Sequence, residues 1–349
     1  MTRIARAAVA AVAAATVAML AVLSGCGSTD TTVGTPTAVA DSVPQTGFAA
    51  AGSDPAQPVA DQTVFPAVAA PAETPDTPGP AEAGAAVESM VWVTAGDHRV
   101  PGTLAVPSAP PAGGIPVVLL LHGDLSNRNE NGDLFTRLAT DLAATGIASL
   151  RIDFAGSGDS EEPDLALDYP GMVTDAAASV DYLRADPRFD PTRVAVLGLS
   201  RGGAIAATLA GTVPGMAALV EWSGAVYNGY DEDPDAHDQA RTDGFVTVDG
   251  GFRLSLNWFD SIEQSHPLDD VAGFTGPVLA VTGSDDGVVP PEVSDVLLQT
   301  VASTDTTRHS IDGADHEFDA TTDDQSHAQE ALTVTTDWLT ARFGAAPTS

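Results

Sequence analysis

Val194-Ala195-Val196-Leu197-Gly198-Leu199-Ser200-Arg201-Gly202-Gly203 runs from an apolar stretch into a string of small residues that continues to Leu209. The first four residues read as a buried strand and Gly202–Leu209 as a helix. Between them lies Gly-x-Ser-x-Gly. A chain that turns from strand to helix this sharply brings its flanking side chains into collision, so Gly198 and Gly202 are the residue types the turn demands. The turn lifts the Ser200 hydroxyl clear of the sheet and leaves the Arg201 N–H at a helix N-terminus. Alone, Gly-x-Ser-x-Gly is a weak signal. Placed between a strand and a helix, it is a strong one.

Working outward, strand and helix patterns alternate. Val117–Leu121 and Ile147–Ile152 read as buried strands before the turn, and Ala217–Val220, Val278–Val281 and Thr306–Ile311 as strands after it. Leu134, Leu138 and Leu142 give Asn131–Thr145 a helical period, with Gly146 suited to the left-handed position that ends a helix. Val173 to Leu183, Val293–Leu298 and Leu332–Leu339 are further helical stretches. Upstream, Val87–Val93 and Val100–Val106 flank Gly96-Asp97 as an antiparallel pair, and Pro107 ends the second strand. The fold class is α/β, with a mostly parallel central sheet and helices on both faces.

The alternation lapses between residues 224 and 270. Asp231, Glu232, Asp233, Asp235 and Asp238 read there as an acidic loop. Phe245–Val248 and Phe252–Leu256 flank Asp249-Gly250-Gly251 as a hairpin. We expect a small inserted cap, with Trp258 and Phe259 as candidates for the wall of a substrate pocket.

A serine hydroxyl is a poor nucleophile until a base takes its proton. The base should be a histidine held by a carboxylate, in the chain order Ser, Asp, His. His316 follows the last strand, on the same sheet edge as Ser200. His309 lies within that strand and reads as structural, and His237 and His327 read as surface residues. The carboxylate should follow Val278–Val281, where Asp285 and Asp286 are both available; the spacing to Val289-Pro290 favours Asp286. A tetrahedral intermediate needs amide donors where negative charge develops. One is the N–H of Arg201. The other is the N–H of Asp124, in His122-Gly123-Asp124 after the strand Val117–Leu121, with Gly123 permitting close approach. The Asp124 carboxylate would oppose an oxyanion, so it must turn away or be neutralised by Arg128 or Arg201. His122 reads as a support for this loop. No metal or organic cofactor is called for.

Composition narrows the context. The 349 residues carry 14 basic residues, all arginine, against 48 acidic ones, a formal charge of −34. A charge of this sign excludes phosphate-backbone binding, which needs a basic patch, so no nucleic-acid partner is expected. Carboxylate repulsion that salt would screen also suits a salt-rich setting or an acidic exported proteome. The one cysteine, Cys26, excludes an intrachain disulfide and a zinc–thiolate cluster. Arg3 and Arg6, the apolar run Ala7–Leu23 and Leu23-Ser24-Gly25-Cys26 read as a lipoprotein signal peptide over residues 1–25. Cys26 would then carry the lipid that anchors an extracytoplasmic protein to the membrane. Residues 26–85, with nine prolines and no basic residue, read as a disordered tether, and residues 86–345 as the folded domain.

Together these segments resemble the α/β-hydrolase superfamily. Within it they resemble the bacterial cinnamoyl/feruloyl esterases and their dienelactone-hydrolase-like relatives. The resemblance is carried by His122-Gly123 with Asn129-Glu130-Asn131, by Gly146 to Phe154 and by Gly156-x-Gly158-Asp159-Ser160. It continues through the serine turn, Gly283-x-x-Asp286-x-x-Val289-Pro290 and Gly313-Ala314-Asp315-His316. It implies Ser200, Asp286 and His316 as nucleophile, acid and base, Asp124 and Arg201 as oxyanion donors, and a small-molecule ester as substrate. Two residues depart from the pattern: relatives often carry a neutral side chain at the position of Asp124, and Gln or Met at that of Arg201. The other readings are a prolyl-oligopeptidase-type peptidase, a cutinase- or lipase-like enzyme and a non-catalytic binding lipoprotein.

Overall fold

A computed structural model describes residues 85–111, 113–229, 233–248 and 251–343. The expected signal peptide, Cys26 and nearly all of the tether lie outside the described residues.

The chain begins with an antiparallel pair, β1 (Ala86–Ala95) and β2 (His98–Pro107), closed at Gly96-Asp97 as expected. It then alternates: β3 (Ile115–Leu121), α1 (Leu134–Ala144), β4 (Ala148–Ile152), α2 (Tyr169–Ala185), β5 (Phe189–Leu199), α3 (Arg201–Thr212) and β6 (Leu219–Trp222). An inserted region follows, made of α4 (Pro234–Asp243), β7 (Phe245–Thr247), β8 (Arg253–Ser255), α5 (Leu256–Glu263) and α6 (Pro267–Val271). The main pattern resumes with β9 (Val278–Gly283), α7 (Glu292–Thr300), β10 (Thr306–Ile311) and α8 (Ser326–Phe343).

Eight strands form one sheet in the order β1-β2-β4-β3-β5-β6-β9-β10. β4, β3, β5, β6, β9 and β10 run parallel, and β1 and β2 are antiparallel additions at one edge. All seven residues of β3 are buried. At about 1.5–3 kcal/mol for each fully buried aliphatic side chain, Val117–Leu121 contribute on the order of 10 kcal/mol to seating this strand inside the sheet. Successive residues of a strand face opposite sides, so each buried strand feeds two cores. Leu119, Leu121, Val194 and Val196 pack on one face with α2, α3 and α7. Val118, Leu120, Ala195 and Leu197 pack on the other with α1 and α8. The parallel order places the C-terminal ends of β3, β5, β9 and β10 along one rim, where a site belongs in such sheets.

Two expectations need correction. The α-helix expected over Asn131–Thr145 begins only at Leu134; residues 131–133 form a 3₁₀ turn with positive φ at Gly132 and Asp133. The acidic loop is, in its described part, a helix. Asp233 caps α4 by accepting the Ala236 N–H at 3.0 Å, Pro234 opens it, Asp235 sits in the first turn and Gly244 (φ 88°) ends it. These are ordinary helix signals. They are hard to read from sequence because α4 buries only His237 and Ala240 and shows no apolar stripe. The expected hairpin forms, with Phe245 opposite Ser255.

Candidate active site

Ser200 stands where β5 meets α3, with φ 54° and ψ −118°. A non-glycine residue rarely adopts this conformation, and holding it costs on the order of 1–3 kcal/mol. Backbone hydrogen bonds hold it from both sides: Ser200 N–H donates to Trp222 O (2.9 Å), and Ser200 O accepts from Ala225 N–H (2.9 Å) and Gly203 N–H (3.0 Å). The glycines answer to contact as much as to conformation. A Cβ on Gly198 would lie 2.0 Å from Gly202 O, and one on Gly202 would lie 2.0 Å from Leu121 O.

Opposite this turn, the loops after β9 and β10 are laced together. Asp285 N–H donates to Ala314 O (3.0 Å), and Gly313 N–H donates to Ser284 Oγ (2.7 Å). This lacing brings His316 Nδ1 to 2.8 Å from Asp286 Oδ2. The Asp286 carboxylate is fully buried. Its Oδ1 accepts the N–H groups of Val288 and Val289, each at 2.8 Å. Asp285 is exposed and, among the described residues, its carboxylate accepts the neighbouring Ser284 hydroxyl. Of the two carboxylates offered by the sequence, Asp286 is the one that meets His316. Facing a carboxylate, Nδ1 carries the ring proton, which leaves Nε2 with its lone pair. Burial disfavours a charged imidazole. The hydrogen bond and charge of Asp286, with Glu317 and Asp315 nearby, outweigh it and raise the His316 pKa above its usual value.

The loop after β3 completes the arrangement. His122 is buried; its Nε2 accepts the Phe154 N–H (3.2 Å), so Nδ1–H must donate to Gly123 O (2.7 Å). Both nitrogens are committed, and burial pulls the pKa down, so His122 braces the loop as a neutral ring. A Cβ on Gly123 would touch Ser200 Cβ at 3.2 Å, which places this loop directly against the serine. Asp124 Oδ2 lies 3.3 Å from Arg201 Nε, so Arg201 is the neutralising partner, while Arg128 pairs with Asp153 and Asp159. Burial pushes the Asp124 carboxyl up, against the pull of Arg201 and His316. Arg201 is itself buried, its guanidinium 5.7 Å from the centre of the Trp258 ring. With its charge met by Asp124, Arg201 is poorly suited to recruit an anionic substrate.

Trp258 and Phe259 are buried within the inserted region. Trp258 covers Arg201, and Phe259 stacks on His237 with ring centres 5.1 Å apart. His237, expected at the surface, is fully buried: α4 turns it inward onto Phe259, and its Nε2 meets Asp260 at 3.0 Å. His327 is partly buried against Asp319, and His309 meets Glu330 across β10 and α8.

Among the buried carboxylates to which the sequence reading gave no role are Glu130 and Glu221. Glu130 accepts the Gly123 N–H and the Ser126 hydroxyl. Glu221 lies in β6 and accepts the Gly224 N–H and the Ser294 hydroxyl. Burial raises each to about 7, against the pull of those donors. The available signal for Glu221 was an acid inside the apolar run Leu219-Val220-Glu221-Trp222.

His237, Asp260 and Glu263 bring three potential ligand atoms within 4.8 Å of one another. Arg241 Nη2 lies 3.3 Å from His237 Nδ1, and Asp260 Oδ1 lies 3.0 Å from Nε2. A cavity of about 550 Å³ between α2, α3, α5 and α6 is lined by Tyr169, Thr208, Asp260 and Asp270 among others, and not by Ser200, Asp286 or His316. Among the described residues, no helix is long and apolar enough to cross a membrane.

Sheet order, flanking helices and inserted hairpin define an α/β-hydrolase fold. Residues 115–230 match the family model described as serine aminopeptidase, S33. An uncharacterized protein of Mycobacterium tuberculosis is 27% identical over 188 residues, 54% of this chain and 58% of the relative, so the match spans little more than half of that protein. Est1E from Butyrivibrio proteoclasticus, solved with ferulic acid bound, superposes with a TM-score of 0.61 at 20% identity, over 72% of this chain and 98% of Est1E. A dienelactone hydrolase from Anabaena variabilis does so with a TM-score of 0.53 at 19% identity, over 74% and 99%. At these identities the likeness is one of fold.

Proposed function

We propose that the protein is a serine carboxylesterase working through an acyl-enzyme, with small or aromatic acyl groups as its substrate class. The observation that carries this reading is the His316–Asp286 contact of 2.8 Å, made on the rim that also holds the strained Ser200 turn. Ser200 Oγ attacks the ester carbonyl carbon and its proton passes to His316 Nε2. The N–H groups of Asp124 and Arg201 receive the oxyanion. Collapse breaks the ester C–O bond, and the departing alcohol takes the proton from His316. Water then adds to the acyl-enzyme by the same route, releasing the acid and restoring Ser200. Asp286 keeps the base in its Nδ1–H tautomer and stabilises the imidazolium that forms. The ferulic acid bound to Est1E supports an aromatic acyl group. The sequence around Cys26 supports a lipid-anchored, extracytoplasmic location.

The family match favours a second reading, a serine peptidase using the same residues. One panel separates the two: nitrophenyl esters of rising chain length, methyl ferulate and aminoacyl nitroanilides, tested on the protein and on Ser200→Ala. Ester turnover that vanishes in Ser200→Ala is the expected result. Anilide turnover without ester turnover would give the site to the peptidase reading, and ester turnover surviving in Ser200→Ala would overturn both.

A further inference from the structure

We propose that Glu221 is a positioning residue that holds the nucleophile turn and the acid loop in register, an inference that rests on the serine-hydrolase reading above. Glu221 is fully buried on β6, next to β5 and opposite Gly198 in the sheet. Its Oε1 accepts the Gly224 N–H, and Ser294 Oγ donates to the carboxylate at 3.1–3.2 Å. Those two partners belong to different halves of the site.

Gly224 lies in the loop behind the serine turn. The next residue, Ala225, donates its N–H to Ser200 O at 2.9 Å. A Cβ on Gly203 would lie 2.7 Å from Gly224 Cα, and one on Gly224 would lie 2.5 Å from Glu221 Cγ. The loop is therefore pressed between the first turn of α3 and the Glu221 side chain. Ser294 lies in the first turn of α7, the helix entered directly from the segment whose Val288 and Val289 amides hold Asp286. One buried carboxylate thus ties the support of Ser200 to the support of Asp286. Its charged neighbours are Asp286 and Arg308, and Arg308 is in turn held by Asp295 and Pro291 O. A strand interior has no need of such a residue: an apolar side chain would fill the space without burying a carboxyl group.

The test measures kcat and KM separately on the best ester of the panel, for Glu221→Ala, Glu221→Gln and Ser294→Ala. Glutamine keeps the acceptor for Gly224 N–H and offers its amide to Ser294 Oγ, so Glu221→Gln should stay within about threefold of the parent. Glu221→Ala should lose kcat roughly a hundredfold, the scale of a 1 Å misplacement of reacting groups, with KM within about threefold. Ser294→Ala, which cuts only the tie to α7, should lose about tenfold in kcat. Amide hydrogen exchange at Val288 and Val289, which Glu221 does not touch, should speed up in the two alanine variants alone. Parental kcat in both alanine variants, a loss appearing only in KM, or equal damage from Gln and Ala would overturn the proposal. If Glu221→Ala does not fold, Ser294→Ala decides: parental kcat there overturns it. If the parent protein turns over no ester or anilide, the hydrolase reading fails by itself, and exchange at Val288 and Val289 still decides the tie.

Discussion

Asp286→Asn is the sharpest perturbation of the proposed mechanism, because the structure fixes what the substitution can do. The carboxylate has no exposed surface, and all three of its close partners are known. Two are backbone N–H groups, which can only donate, so the asparagine oxygen must turn toward Val288 and Val289. The amide NH₂ then faces His316 Nδ1, which must accept. The imidazole is forced into its Nε2–H tautomer, with a proton where the base needs a lone pair. Packing and hydrogen-bond count are unchanged, so the variant should fold. Loss of the correct tautomer is expected to lower kcat by about 10⁴, or roughly 5 kcal/mol at 1.36 kcal/mol per decade. Asp285→Asn, at the exposed neighbour, should stay within about threefold of the parent. Single-turnover hydrolysis of a nitrophenyl ester, with circular dichroism to verify folding, checks both. More than a tenth of parental activity in Asp286→Asn, or a large loss in Asp285→Asn, would refute the assignment of the acid and the reasoning from tautomers.

Gly202→Ala places a methyl group 2.0 Å from the Leu121 carbonyl in the middle of the sheet and should cost at least about 3 kcal/mol of stability. Gly273→Ala, with nothing within 4 Å, should change it by less than about 0.5 kcal/mol, and urea midpoints compare the two. His98 Nε2 lies 2.7 Å from Asp175 Oδ1. Burial opposes its charge, but Asp175 raises the pKa, so this stabilisation is full below the usual imidazole pKa and fades as pH rises through the raised value. His98→Ala should therefore lose about 2 kcal/mol near pH 5.5 and less near pH 8.5, read from urea unfolding at both values; a gap that widened with pH would contradict the pairing.

Local rules carried the reading a long way. Hydrophobic period located the strands of the parallel sheet, because a strand buried on both faces must be apolar throughout. The serine turn was legible because its glycines answer to contacts with the elements just before and after it. The meeting of His316 with Asp286 was legible as a short list, from the places of the two loops after the last strands. The cap was legible as a lapse in the pattern and as one hairpin, but α4 was not, because its caps serve a helix that buries only two residues.

The sequence by itself determined the α/β class, the position of Ser200 and the short list of partners, because these follow from periodicity, sterics and chain order within a few residues. Tertiary structure decided between Asp285 and Asp286, which differ by one position yet end one exposed and one buried against a histidine thirty residues on. It likewise chose Arg201 over Arg128 as the partner of Asp124, turned His237 inward and joined Glu221 to Ser294 across 73 residues. Each of those outcomes is a contact between distant segments, set by how the sheet packs.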